Sequence, residues 1–102
     1  MADLSIADNG DQHRIEARLG DAVAAYIEYH DRAGRRSFIH TVVEPEFEGQ
    51  GLGSQLVRWG LDDARARGLA VLPHCPFTRS WIERHREYVD LVPEAERAGF
   101  GL

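Results

Sequence analysis

Three glycines at alternate positions, Gly49, Gly51 and Gly53, close the string Phe38-Ile39-His40-Thr41-Val42-Val43-Glu44-Pro45-Glu46-Phe47-Glu48-Gly49-Gln50-Gly51-Leu52-Gly53-Ser54. A β-branched run that enters a glycine turn and then a helix makes a cradle for an anion. Glycine removes side chains where a ligand must come close, and the first helical turn offers unpaired N–H groups at the positive end of the helix dipole. Phosphate or pyrophosphate is the natural guest. A dinucleotide fingerprint needs a third glycine at position 54, where Ser54 stands, and a P-loop needs a Gly-Lys-Ser/Thr that does not follow. Taken alone, the same string also fits a flexible turn ahead of a helix.

Two further residues have the right chemistry. Cys75, the one cysteine, stands before Pro76, and proline favours the first helical position, so the thiol is expected at a helix N-cap. There the dipole favours thiolate, and His74 assists if protonated. A small buried hydrophobe is the plainer fate of a lone cysteine. His40 lies in an otherwise apolar strand, where it is either a core or edge histidine with satisfied nitrogens or a general base placed just upstream of the cradle. His40, His74, Cys75 and His85 match no metal-ligand spacing such as C-x-x-C or H-E-x-x-H.

The elements that must hold these residues are legible from periodicity. Residues 4–7 are expected to form a short strand, followed by the Asp8-Asn9-Gly10-Asp11 turn. Residues 13–19 alternate, with His13, Ile15, Ala17 and Leu19 on one side and Arg14, Glu16 and Arg18 on the other; residues 23–30 alternate again after Gly20-Asp21. Residues 37–43 make a fourth, nearly all-apolar strand expected at the centre of the sheet, with Phe38, His40 and Val42 on one face and Ile39, Thr41 and Val43 on the other. From Gly51 the period becomes helical, with Leu52, Leu56, Gly60 and Ala64 flanked by Val57 and Leu61, until Gly68 stops it. Residues 69–72 suit a buried fifth strand ended by Pro73. A second helix follows over 77–86, then an apolar segment at 88–92 as a short strand or irregular piece, and a solvated tail from about 93. The plan is α+β, with antiparallel strands and one right-handed parallel crossover between strands four and five.

The totals set bounds. The chain has 102 residues, enough for one core and one domain over 1–102. Seventeen acidic residues oppose twelve basic ones, all arginine, for a net charge of −5, the wrong sign for a protein that neutralises nucleic-acid phosphates. The excess favours a cationic substrate such as an amine. No apolar run is of membrane-spanning length, no signal peptide opens the chain, and a single cysteine suits a reducing compartment, so a cytoplasmic monomer or weak homodimer without nucleic-acid or membrane partners is expected.

The residues resemble the GNAT acetyltransferase superfamily, in particular its minimal single-domain members, over about 12–92. The likeness is carried by Val42-Val43-Glu44-Pro45-Glu46-Phe47-Glu48-Gly49-Gln50-Gly51-Leu52-Gly53-Ser54-Gln55-Leu56-Val57, which is similar to the acetyl-CoA motif Gln/Arg-x-x-Gly-x-Gly/Ala. Pro73-His74-Cys75-Pro76-Phe77 and His85-Arg86-Glu87-Tyr88 suggest the subgroup. The resemblance implies a GNAT-like fold with strands four and five splayed and two main helices. Acetyl-CoA (coenzyme A) would lie with its pantetheine arm along Val42, Val43 and Glu44, its pyrophosphate on Gly49, Gln50, Gly51, Leu52, Gly53 and Ser54, and Phe77 against it. His40 and Cys75 map onto the reactive pair. The activity implied is an acetyl-CoA-dependent N-acetyltransferase acting on an amine, a protein lysine or a small molecule. A non-catalytic module that binds coenzyme A and a cofactor-free interaction domain are the rivals. Position 48 departs from the motif: Glu48 stands where Gln or Arg is usual, and a carboxylate repels a pyrophosphate unless it faces solvent or pairs with arginine.

Overall fold

A computed structural model describes residues 3–102. One five-stranded sheet runs in chain order: β1 (Leu4–Asn9), β2 (Arg14–Leu19), β3 (Ala22–Arg32), β4 (Arg35–Val43) and β5 (Ala70–Pro73). The first four strands are antiparallel neighbours and β5 runs parallel to β4. Helix α1 (Leu52–Ala66) makes the crossover, and α2 (Pro76–Arg84) packs beside it. This is the expected α+β order.

Alternation places Ile15 and Ala17 of β2, and Ala25, Ile27 and Tyr29 of β3, under the apolar stripe of α1, where Leu52, Leu56, Val57, Leu61 and Ala64 are buried. Gly60 allows the close approach. A Cβ there would lie 3.1 Å from Ile15 Cδ1 and 3.2 Å from Phe38 Cε1.

The fourth strand corrects one expectation. Tyr29 faces Phe38 and Glu28 faces His40, so Ile39 is an extra residue in β4, a β-bulge. Because each step along a strand reverses the face, one inserted residue flips everything beyond it. Phe38, Thr41 and Val43 therefore face the helices, while His40 and Val42 lie on the opposite, open face. His40 and Phe38 do not share a side as regular alternation predicts.

Arg36 is fully internal at 1% exposure. Its guanidinium bonds both oxygens of Asp31 at 2.8 and 2.9 Å and Asp63 of α1 at 2.9 Å, and it stacks 4.1 Å from the Tyr29 ring centre. Burial disfavours its charge, but the two carboxylates more than compensate and hold it protonated. The Tyr29 hydroxyl donates to Asp8 at 2.6 Å, and burial together with that carboxylate pushes its pKa up to about 12.

The chain end is not a solvated tail. After a 3₁₀ stretch Arg86–Leu91 that buries Tyr88 and Leu91, α3 (Glu94–Arg97) and a further 3₁₀ turn Ala98–Phe100 fold back. Phe100 sits edge-on to His74 at 5.2 Å, Glu96 pairs with Arg35 at 3.1 Å, and Arg86 donates to the Leu102 carbonyl at 3.1 Å. Composition alone had hidden these tertiary contacts. No described helix is long and apolar enough to cross a membrane.

Candidate active site

The β4/β5 ladder is short. It pairs Arg35 to Phe38 with Ala70 to Pro73, and a last bond runs from the Cys75 N–H to the Phe38 carbonyl at 2.8 Å. Beyond that point the strands part. The Glu44 N–H donates to Ala24 on β3 at 2.9 Å, which fixes the phase of the β3/β4 ladder. Glu44 and Val42 thus direct their backbone groups toward β3, whereas Thr41 and Val43 turn N–H and C=O to the gap left by β5. The splay therefore exposes an edge of unpaired donors and acceptors.

The chain leaves β4 through a 3₁₀ turn at Pro45–Phe47 and reaches the glycines. Gly49 and Gly51 have φ of +84° and +73°, the left-handed region that only glycine adopts cheaply, and a Cβ at either would point into open space. Gly51 caps α1 with no side-chain bond. The first helical N–H with a partner is that of Gln55, bonded to the Gly51 carbonyl at 3.2 Å, so those of Leu52, Gly53 and Ser54 are free. Among the described residues no backbone partner takes the N–H groups of Gly49, Gln50 or Gly51 either. These groups open on a cavity of about 440 Å³ lined by Val43, Phe47, Gly51, Phe77 and Arg84 among others.

The cavity wall is built by α2. Phe77, 42% exposed, lays its ring against Gly53, where a Cβ would come 2.9 Å from Phe77 Cζ. Ser54 Oγ accepts the Trp81 indole N–H at 2.9 Å and ties α1 to α2 while its own N–H stays free. Arg84 closes the rim without any ion pair among the described residues. Glu48 is exposed on the same rim, also without an ion pair. An open carboxylate in water repels an anion weakly, and the neighbouring guanidinium offsets it.

Cys75 occupies the N-cap of α2, as the Pro76 signal indicates, and is 3% exposed. Burial pushes its thiol pKa up, yet hydrogen bonding wins and the net shift is downward. The Thr41 hydroxyl lies 3.2 Å from Sγ, and the backbone amides of Phe77 and Thr78 in the first turn of α2 favour the thiolate. The buried Thr78 hydroxyl has no hydrogen-bond partner among the described residues. Thr41, brought to this face by the bulge, is the β4 side chain that meets Cys75. His40 is the next residue along but is exposed on the open face, with no hydrogen bond to the thiol.

The other histidines are engaged elsewhere: His74 with Phe100, and His85 stacked 3.8 Å from Trp81 with Nδ1 against the Trp81 carbonyl at 2.8 Å. Among the described residues no cluster suits a metal ion. The residues missed by sequence reasoning are Thr41, Phe47, Thr78 and Arg84. Only Arg84 carried a signal, since it follows Phe77 by seven residues, two helical turns, and so shares its face.

Comparisons with known proteins bear on the fold that carries this geometry. The family model described as GCN5-related N-acetyl-transferase matches residues 14–91. A GCN5-like protein of Staphylococcus aureus, solved in solution by NMR, is 26% identical, with 91% of each chain covered and a TM-score of 0.70. No curated protein sequence matches the chain.

Proposed function

The chain belongs to the GCN5-related N-acetyltransferase family, and from that premise we propose that it moves an acetyl group from acetyl-CoA to a primary amine. One observation carries the reading: the glycine turn and the first turn of α1, with their unpartnered N–H groups, line one cavity with Val43 on the unpaired edge of β4, the edge on which Thr41 meets Cys75.

The residues fit the donor. Six N–H groups without backbone partners, in the glycine turn and the first turn of α1, with Arg84 on the rim, suit a pyrophosphate. The free backbone groups of Val43 and Thr41 suit an amide-bearing arm that completes the sheet edge. Phe77 supplies an apolar wall. When bound there, acetyl-CoA provides a thioester whose carbonyl is open to attack by an amine.

The chain's own groups supply the rest. His40, as a neutral imidazole, takes a proton from the acceptor ammonium, leaving the free amine as nucleophile. A β4 N–H facing the gap, from Thr41 or Val43, stabilises the negative charge that develops on the carbonyl oxygen. Cys75 acts at the sulfur end. As a thiol it protonates the departing thiolate, and as a thiolate it accepts the acetyl group before passing it on.

Incubation with acetyl-CoA and a panel of amines, followed by thiol release, tests the activity. Acceptor-dependent release that is lost in His40→Ala supports it. Binding of coenzyme A without release for any amine would instead make the protein a binding module. Intact mass after exposure to labelled acetyl-CoA without acceptor separates the two routes at Cys75, because only the covalent one leaves a label on that residue.

A further inference from the structure

The open face of the sheet carries a row of polar residues that the cradle and Cys75 do not use. Strand register aligns Asn9, Arg14, Glu28 and His40 across β1 to β4. The bulge at Ile39 delivers His40 to this row. Without it, His40 would face Ile27 under the helices. In the adjacent row lie Ala7, Glu16, Tyr26 and Val42.

Pairing is uneven between Glu16 and Glu28, the two carboxylates of these rows. Glu16, 4% exposed, accepts from Arg14 at 2.6 Å, from Arg18 at 3.0 Å and from Asn9 at 3.1 Å. Arg14 also stacks its guanidinium 4.5 Å from the Tyr26 ring centre. The cation that register places directly beside Glu28 is thereby turned away from it. Glu28, half-buried, keeps a carboxylate with no hydrogen bond or ion pair among the described residues. Its other cross-strand neighbour is His40, in a hydrogen-bonded pair whose Cα atoms lie about 5.5 Å apart.

We propose that Glu28 is the acceptor-recognition residue, the carboxylate that receives the ammonium of a primary alkylamine and holds it against His40. This rests on the acetyltransferase reading of the site. An ammonium has three donors: one is bonded by Glu28, one faces the His40 imidazole, and the carbon stem leaves over Val42. The proton balance closes within the pair. R–NH3⁺ gives one proton to neutral imidazole, the products are R–NH2 and imidazolium, and Glu28 remains the counter-ion of whichever partner carries the charge. A neutral amine or an anionic acceptor gains nothing from this arrangement. The shared chemistry is a primary alkylammonium, whether of a small polyamine or of a lysine side chain.

The test compares wild type with Glu28→Gln and Glu28→Asp at saturating acetyl-CoA, using spermidine and a terminally blocked lysine peptide as acceptors. In Glu28→Gln the KM for the amine rises about tenfold to a hundredfold, the range expected for one charge-assisted hydrogen bond, while the KM for acetyl-CoA and the Tm are unchanged. Glu28→Asp recovers part of the loss. The acceptor with the lower wild-type KM identifies the source of the ammonium. A second readout needs no turnover: in ¹⁵N NMR titrations of the protein loaded with coenzyme A, the acceptor shifts the amides of Tyr26, Glu28, His40 and Val42, and Glu28→Gln abolishes the response. Unchanged amine KM in Glu28→Gln, with turnover intact, overturns the assignment and leaves the acetyltransferase reading standing. Glu28-dependent amide shifts without any thiol release leave the assignment standing and overturn that reading.

Discussion

Two arginines divide the molecule. Arg36, at the start of β4, has its guanidinium enclosed by Asp31, Asp63 and the face of Tyr29. Arg84, at the end of α2, stands on the rim of the glycine cavity with no ion pair among the described residues. The same contrast holds for the backbone. At the Arg36 end β4 is paired on both sides, with β3 and with β5; at the Arg84 end it loses β5 after Phe38, and the first N–H groups of α1 have no backbone partner among the described residues. Satisfied polar groups fix a fold, and unsatisfied ones held on rigid elements await a ligand. On that contrast we propose a structural role for one end and ligand binding for the other.

Removing each arginine in turn breaks or sharpens that contrast. Arg36→Ala empties the interior beside Tyr29 and Asp63 and removes the shared partner of Asp31 and Asp63, and urea unfolding should show a loss of about 3 kcal/mol. A loss below about 1 kcal/mol would mean the cluster is exchangeable with water. The Tyr29 hydroxyl gives the same end an alkaline signature. Its folded pKa is raised to about 12 from 10, so between those values the unfolded chain binds fewer protons than the folded one. Stability therefore falls as pH rises through this window, and Tyr29→Phe flattens the slope there.

At the binding end the effects fall on affinity. Gly51→Val forces a β-branched side chain into φ +73° and fills the cradle. It should cost about 1–2 kcal/mol of stability and weaken coenzyme A binding by at least about tenfold in calorimetry. Arg84→Ala should leave stability within about 0.5 kcal/mol while weakening the same ligand by about fivefold to tenfold. If Arg84→Ala unfolds the protein instead, the division between the two ends fails. The smallest effect belongs to Thr41→Val. Cys75 is held below the usual thiol range, so its thiolate persists to lower pH and the stability it contributes is lost as pH falls through the folded value. Removing the Thr41 hydroxyl raises that value, and alkylation of Cys75 near neutral pH should slow by about twofold to fivefold.

The paired end was partly legible in the sequence, and so was the cradle. Alternation in residues 13–19 placed Ile15 and Ala17 inside, and the stripe from Leu52 to Ala64 named the buried face of α1. Pro76 located Cys75 at its N-cap. The bulge was not legible, because an unbroken β-branched run reads the same in either register, and only the pairing with Tyr29 and Glu28 reveals Ile39 as extra. Thr41 stayed hidden for that reason. Arg36 resembled any charged residue at a strand start, since its burial depends on Asp63 arriving from α1 far along the chain. The fold of residues 93–102 rests on tertiary contacts such as Phe100 with His74, which composition does not record.

We place the acetyl-CoA site at the unpaired end. A ¹⁵N NMR titration with coenzyme A measures it directly. The prediction is a contiguous set of shifted amides at Thr41, Val43, Gly49, Gly51, Gly53 and Ser54, with those of Asp31, Arg36 and Asp63 unmoved. Saturating coenzyme A that left the glycine amides in place would contradict it.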